Sequence, residues 1–286
     1  MIGILDVGGG LRAAYGTGVL DACLEKGIRF DYCIGVSAGA ANMCSYVAGQ
    51  KGRNLPFYRD YCQRPEYMGL HTLLHTGSVL DLNYIYSTLS NEGGENPLDY
   101  DALQASPTIL KIVATDAETG KPVYFDKSEI ERNDYGILKA SCCLPVVCRP
   151  ALWKGRAYYD GGVSDGVPFR RAFADGCDRL VVILTRPESW RMEPRNRDER
   201  LTRLVSARYP AIHRVMKKRA SYYNHTVAVL EQYAAQGRVW IVAPDDCCGV
   251  DTLTKNPENI EQLYEKGRTD ADGVARFFEK AAAAAV

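Results

Sequence analysis

No stretch of the 286-residue chain stays apolar for the roughly 18 residues that would suggest a membrane-spanning helix. Neither sign of charge is in excess, with 35 Lys and Arg against 35 Asp and Glu. That balance argues against nucleic-acid binding by the chain as a whole. No basic leader precedes the first apolar run, so the first residues are expected to belong to the fold and no secretory signal is expected. The ten cysteines then read as reduced thiols of a cytoplasmic protein. None stands in a CxxC pair, which argues against a structural zinc site, and those in apolar stretches, such as Cys33 and Cys44, read as small core hydrophobes. Histidine is scarce, with only His71, His75, His213 and His225. There is no GxxxxGK[ST] and no clean GxGxxG, which leaves the nucleotide-binding readings weak.

What is present is ordinary globular composition, 46% hydrophobic and 24% charged. The length suits one large α/β unit with its own core. Residues 2–7 (IGILDV) form an apolar run that ends at three glycines. A helical pattern follows, with Ala14, Val19, Leu20, Cys23 and Leu24 on one face and Gly27 at its stop. DYCIGV then leads through Ser37 into AGAANMCSYVAG, a second helix ending at glycine. Strand, glycine loop, helix, strand, tight turn, helix implies a parallel sheet covered by helices. Residues 50–106 show weak periodicity and read as short helices and loops, forming a cap near the active face. Strands are expected at 109–116 and 122–125, joined by a turn at 118–121. A short helix is expected at 134–142, and further buried strands at 179–184 and 238–243. A helical region is expected over about 197–236, and a helix at the C-terminal tail. One domain over residues 1–286 is expected, with a catalytic core to about 185.

Three segments carry chemistry. Gly35-Val36-Ser37-Ala38-Gly39 is a GxSxG string between a strand and a helix. A nucleophilic serine needs such a sharp strand-to-helix turn, and the flanking glycines let neighbouring elements approach. The bland alternative is a serine that merely caps the helix. Gly8-Gly9-Gly10-Leu11-Arg12 follows the first strand. Its amides suit an oxyanion hole, and Arg12 could bind phosphate or orient the loop. A structural glycine turn is the competing reading. The serine also needs a base. None of the four histidines lies in a Gly- or Pro-flanked loop after a strand. Asp160 does stand at a strand end, before Gly161-Gly162, where burial would make it an effective base. A plain Asp-Gly turn is the alternative.

Together these segments resemble the patatin-like phospholipase family, with its GGGxR loop, GxSxG elbow and later Asp-Gly-Gly. KASCCLPVVCRP and VATDAETGKPVYF also look like bacterial members, and the resemblance covers about residues 1–185. RASYYNHTVAVLEQYAAQG and LYEKGRTDA are similar to the C-terminal part of a bacterial subgroup. The chain departs from the pattern at Ala13, where many members have glycine, and at Cys142-Cys143, where small residues are usual. The resemblance implies a three-layer α/β/α fold with a mainly parallel central sheet. It implies Ser37 as nucleophile and Asp160 as base, a dyad rather than a triad, with residues 8–12 as the oxyanion loop. The activity it implies is hydrolysis of acyl lipids, of phospholipase A or lysophospholipase type, with no metal or organic cofactor. Two rival readings are a Ser–His–Asp hydrolase using His213 or His225, and a non-catalytic anion- or lipid-binding protein.

Between Arg186 and Arg219 eleven basic residues face four acidic ones. This stretch reads either as a surface for anionic headgroups at the inner membrane face, with Trp190 and Met192 inserting shallowly, or as a solvated helical face with intramolecular partners. Without interleaved aromatics on a recognisable module, a nucleic-acid role is not expected.

Overall fold

The computed structural model describes residues 1–194, 203, 205 and 207–283. The chain opens with β1 (Ile2–Asp6), α1 (Ala14–Glu25), β2 (Tyr32–Val36) and α2 (Ala38–Val47). Short helices α3 (Leu55–Arg59), α4 (Leu70–Thr76) and α5 (Tyr100–Ala105) follow, then β3 (Ile109–Asp116), β4 (Pro122–Asp126) and α6 (Gly136–Cys142). Next come β5 (Ala151–Trp153), β6 (Arg156–Asp160), α7 (Phe169–Ala174) and β7 (Arg179–Ile183). The chain closes with α8 (Pro210–Ala235), β8 (Val239–Val242) and α9 (Pro257–Ala283).

The eight strands form one sheet in the order β5-β6-β3-β2-β1-β7-β8, with β4 also paired to β3. β3, β2, β1, β7 and β8 are parallel, β4 and β6 run antiparallel to β3, and β5 runs antiparallel to β6. The central strands are unbroken apolar runs because both faces are covered. Alternate residues go to opposite sides. Ile4, Cys33, Ile112, Val181 and Ile183 join one core with α1, α2 and α9. Leu5, Ile34, Val113, Leu180 and Val182 join the other with Phe169 of α7 and Leu230 of α8. The result is the three-layer α/β/α arrangement.

Helix α1 is buried from Ala14 to Cys23 because the sheet covers one side and α9 the other. The two helices touch at glycines. A Cβ on Gly18 would fall 2.0 Å from the Tyr264 carbonyl oxygen, and one on Gly267 would fall 2.1 Å from that of Tyr15. Two hydrogen bonds flank the crossing, from Tyr15 Oη to Asp270 Oδ2 (2.7 Å) and from Tyr264 Oη to Asp21 Oδ2 (3.0 Å).

The expected strands and the first two helices form where the periodicity puts them. In the helical region expected over about 197–236, residues 203 and 205 are helical and α8 runs from Pro210, while residues 195–202, 204 and 206 lie outside the described ones. Not anticipated were α7, the 27-residue length of α9, and β5. β5 joins β6 through Lys154-Gly155, both at positive φ (46° and 77°), the geometry of a tight two-residue hairpin.

A leucine in place of Gly267 has no room between α1 and α9. Gly267→Leu is expected to lower the unfolding free energy by about 2–3 kcal/mol, read from urea denaturation; an unchanged midpoint would contradict this packing.

Candidate active site

One edge of β3 is occupied by β4 from Lys111 to Thr115. The other edge is shared. β2 pairs along it in parallel as far as Val36↔Val113, and β6 takes over in the antiparallel sense from Ala114↔Asp160. The C-terminal ends of β2 and β6 therefore meet head-on. Ser37 follows the first and Asp160 ends the second.

Ser37 sits at φ 56°, ψ −135°, a conformation that a non-glycine residue holds only under constraint. It is the turn between β2 and α2, so its side chain is thrown clear of both. The neighbouring glycines are needed for close approach: a Cβ on Gly35 would lie 2.4 Å from Ala40 Cα, and one on Gly39 would lie 2.4 Å from the Asp6 carbonyl oxygen. The Ser37 amide donates to Ser141 Oγ (2.9 Å), and that hydroxyl donates to the Val113 carbonyl (2.6 Å). Ser141, in α6, thus ties the elbow to β3.

Asp160 is 2% exposed. Its amide donates to the Cys143 carbonyl (2.8 Å), and its own carbonyl accepts from Thr115 Oγ1 (2.8 Å). Oδ1 accepts the Gly162 amide (2.7 Å). Oδ2 is buried without a hydrogen-bond partner among the described residues. Burial pushes the carboxyl up to about 6, while the Ser37 hydroxyl, the Gly162 amide and the Arg219 charge pull it down. The Ser37 hydroxyl is thus near enough to favour the carboxylate, although no hydrogen bond of ordinary geometry joins them. Long or poorly aligned catalytic bonds are usual before substrate binds.

Gly8, Gly9 and Gly10 all take positive φ (65°, 123° and 64°). At Gly8 a side chain is also excluded by contact, since a Cβ would lie 2.3 Å from the Val36 carbonyl oxygen. Two of the loop's amides are committed. That of Gly8 donates to Asp6 Oδ1 (2.8 Å), and that of Leu11 donates to the Thr252 carbonyl (3.1 Å). Within the expected oxyanion loop, residues 8–12, the amides of Gly8 and Leu11 are thus engaged inside the protein. The Arg12 side chain orients the loop, one of the two roles expected for it. It is buried, and its Nη1 donates to Asp251 Oδ1 (2.5 Å) and Thr252 Oγ1 (3.0 Å). Thr185 Oγ1 donates to the Gly8 carbonyl. Asp6 was not anticipated. Its buried carboxyl accepts from Gly8 and from Asn42 Nδ2 (2.9 Å), and desolvation pushes it up to about 6.

Ser37 opens onto a mainly apolar cavity lined by Leu11, Phe57, Met68, Leu80, Tyr86 and others. The space inside is about 660 Å³, its open mouth included. More than half of the wall comes from residues 50–106, the stretch with weak periodicity. Tyr58 Oη donates to Asn42 Oδ1 (2.7 Å), which links the wall to Asp6. None of the four histidines lines this cavity. His71 and His75 lie on α4, and His213 and His225 on α8.

A family model described as patatin-like phospholipase matches residues 7–173, more than half of the chain. The chain belongs to the patatin-like phospholipase family. Its fold is the patatin-like α/β/α one. A second model, a domain of unknown function named DUF6363, matches residues 209–279. The uncharacterized protein YjjU of Escherichia coli (strain K12) is 28% identical over 198 residues, which is 68% of this chain and 54% of that protein. The chain thus matches about half the length of this curated relative. The crystal structure of VipD from Legionella pneumophila covers 97% of this patatin-like chain and 66% of its own, at a TM-score of 0.49 and 14% identity.

The segment matched by DUF6363 reaches the site at two points. Thr252 and Asp251 hold the glycine loop, and Arg219 Nε donates to the Gly162 carbonyl (2.7 Å). The basic stretch that contains Arg219 is largely engaged within the protein. Arg186 pairs with Asp251 (3.0 Å) and Arg191 with Glu231 (2.5 Å). Arg195, Arg197 and Arg200 lie outside the described residues. Trp190 packs edge-on against Tyr223, and both backbone groups of Met192 bond Asn224, so neither side chain stands out for insertion, and both are half-buried.

Ser141→Ala would strand the buried Ser37 amide. It is expected to cost about 1–3 kcal/mol of stability and to lower ester turnover; a urea midpoint equal to that of the parent would contradict the role given to Ser141.

Proposed function

We propose that the chain is a serine acyl-ester hydrolase acting on lipids through a Ser37–Asp160 dyad and an acyl-enzyme intermediate. The observation that carries the reading is the buried Asp160 carboxylate, with one oxygen unbonded, beside a serine held at a left-handed strand-to-helix turn. A carboxyl raised to about 6 is ionised at neutral pH and is a better base than one at its ordinary value.

In the first step Ser37 Oγ forms a bond to the ester carbonyl carbon and its proton passes to Asp160 Oδ2. The amides of Gly9, Gly10 and Ala38 stabilise the oxyanion, aided by the N-terminus of α2. The bond from that carbon to the alcohol oxygen then breaks, and Asp160 returns the proton to the leaving alkoxide. Water, deprotonated by Asp160, attacks the acyl-enzyme. Ser37 leaves as alkoxide, regains the proton and the fatty acid departs. The apolar cavity beside Ser37 receives the acyl chain. Residues 1–286 act as one unit in this reading, since the C-terminal segment braces both the glycine loop and the Asp160 turn. Among the described residues no helix is long and apolar enough to cross a membrane, so access to lipid is peripheral, and we place the enzyme in the cytoplasm, at the inner membrane surface.

The test is fluorophosphonate labelling read by intact mass, with turnover of p-nitrophenyl butyrate, on wild type, Ser37→Ala and Asp160→Asn. Wild type should gain one adduct. Each variant should lose turnover by about a thousandfold, and Ser37→Ala should gain no adduct. Asp160→Asn should also melt higher than wild type at pH 8. The carboxyl is raised in the folded state, so its contribution is favourable at low pH and is lost as pH rises through about 6. An uncharged amide removes that cost. A wild type that neither labels nor turns over would favour a non-catalytic binding protein, and a lower melting point for Asp160→Asn would contradict the buried charge.

A further inference from the structure

Helix α4 is turned inside out. Its sequence is LHTLLHT, and Leu70, Leu73 and Leu74 share one face by their i, i+3, i+4 spacing. That face points to solvent: Leu70 is 70% exposed, Leu73 42% and Leu74 74%. The one buried residue of the helix is Thr72, whose hydroxyl lies within hydrogen-bond distance of the carbonyls of Gly69 (2.8 Å) and Val79 (2.6 Å). A helix packed on a protein core shows the reverse pattern, apolar inward and polar outward. Clustered exposed leucines of this kind mark an interaction surface.

The base of the helix belongs to the Ser37 cavity. Met68 and Leu80 pair as a β-bridge that closes the excursion carrying α4, and both line the cavity. Lys255 Nζ donates to the Met68 carbonyl (2.8 Å), which brings the 252–255 loop alongside. On that loop Leu253 lines the cavity and is 40% exposed. The base of α4 and the 252–255 loop thus both border the space in front of Ser37. Two basic groups lie against this excursion: Lys255 sits at its base, and the Arg149 guanidinium packs against Gly77. Residues 67–80 themselves contain no Asp or Glu, with Glu66 and Asp81 flanking them and Asp251 preceding the 252–255 loop.

We propose that α4 and the adjoining 252–255 loop are the membrane-docking surface of this enzyme, with Leu70, Leu73 and Leu74 entering the headgroup–acyl boundary of an anionic bilayer. The inference rests on the lipid-hydrolase reading above and names where that activity meets its substrate. A bilayer is the occupant the surface fits. The outward leucines supply the apolar face of an interfacial helix, Lys255 and Arg149 suit anionic headgroups, and the cavity that Met68, Leu80 and Leu253 line opens beside them toward Ser37 to receive an acyl chain. It also moves the lipid contact away from the 186–219 stretch, where Arg186, Arg191 and Arg219 are engaged within the protein.

The test uses the full chain with Leu70→Ser and Leu74→Ser combined. Sedimentation with vesicles of equal phosphatidylglycerol and phosphatidylcholine is measured in the Ser37→Ala background, so that binding is read without catalysis. Turnover of p-nitrophenyl butyrate is measured with Ser37 intact. Vesicle partitioning should fall at least tenfold while turnover of the soluble ester stays within twofold. A single Leu74→Trp variant gives a positive signal, a blue shift of emission on vesicle addition that wild type lacks. Unchanged partitioning of the double variant, or no shift for Leu74→Trp, would overturn the proposal. So would a wild-type dimer that the double substitution converts to monomer, which would make the face a contact between copies. Vesicle binding that persists in a protein that fluorophosphonate does not label would sink the catalytic reading and leave the docking surface standing.

Discussion

Two strands of opposite direction share one edge of β3, and the site depends on that arrangement. β2 ends at Val36 opposite Val113, and β6 ends at Asp160 opposite Ala114. The chain must leave the sheet at both points, so Ser37 and Asp160 are brought face to face by strand pairing and not by loop conformation. The surroundings keep the junction tight. Ser141 bridges the Ser37 amide and the Val113 carbonyl. Gly161 has no room for a side chain, since a Cβ would lie 2.4 Å from that same carbonyl oxygen. Sites held on strands and helices keep their geometry better than sites held on loops alone.

The junction is also buried, and burial dominates the chemistry of its acids. Asp6 and Asp160 are both deeply buried, and desolvation raises both to about 6. Asp6 has both oxygens satisfied and organises the glycine loop. Asp160 has one oxygen left over, as the base role proposed for it requires. The same burial that raises its basicity disfavours its charge, so activity at neutral pH is set against stability.

Much of this was legible in the sequence, for a physical reason. A strained serine elbow and a left-handed loop demand glycines at fixed offsets, so Gly8–Gly10, Gly35 and Gly39 announce the geometry they permit. The central strands were legible because a sheet covered on both faces leaves continuous apolar runs. The cavity wall was not, because α3, α4 and the π-helical turn at Tyr84–Leu89 are too short to establish a period. β5, with three residues, is shorter still. The partners of Leu11 and Arg12 were not legible, because Thr252 and Asp251, about 240 positions away, hold the Leu11 amide and the guanidinium. Ser141 lay within a segment already marked by resemblance, but nothing local ties its hydroxyl to Ser37. The leucines of α4 look ordinary in sequence; only the inward turn of Thr72 shows that they face out.

In the proposed mechanism a buried carboxylate, and no imidazole, activates Ser37. The rate constant for fluorophosphonate labelling of the wild-type chain, followed from pH 4.5 to 8.5, tests it most directly. One ionisation near pH 6 is expected, with the rate falling about tenfold per pH unit below it, and the same profile in a His213→Gln, His225→Gln variant. A rate independent of pH over this range, or an inflection that disappears when those histidines are replaced, would contradict it.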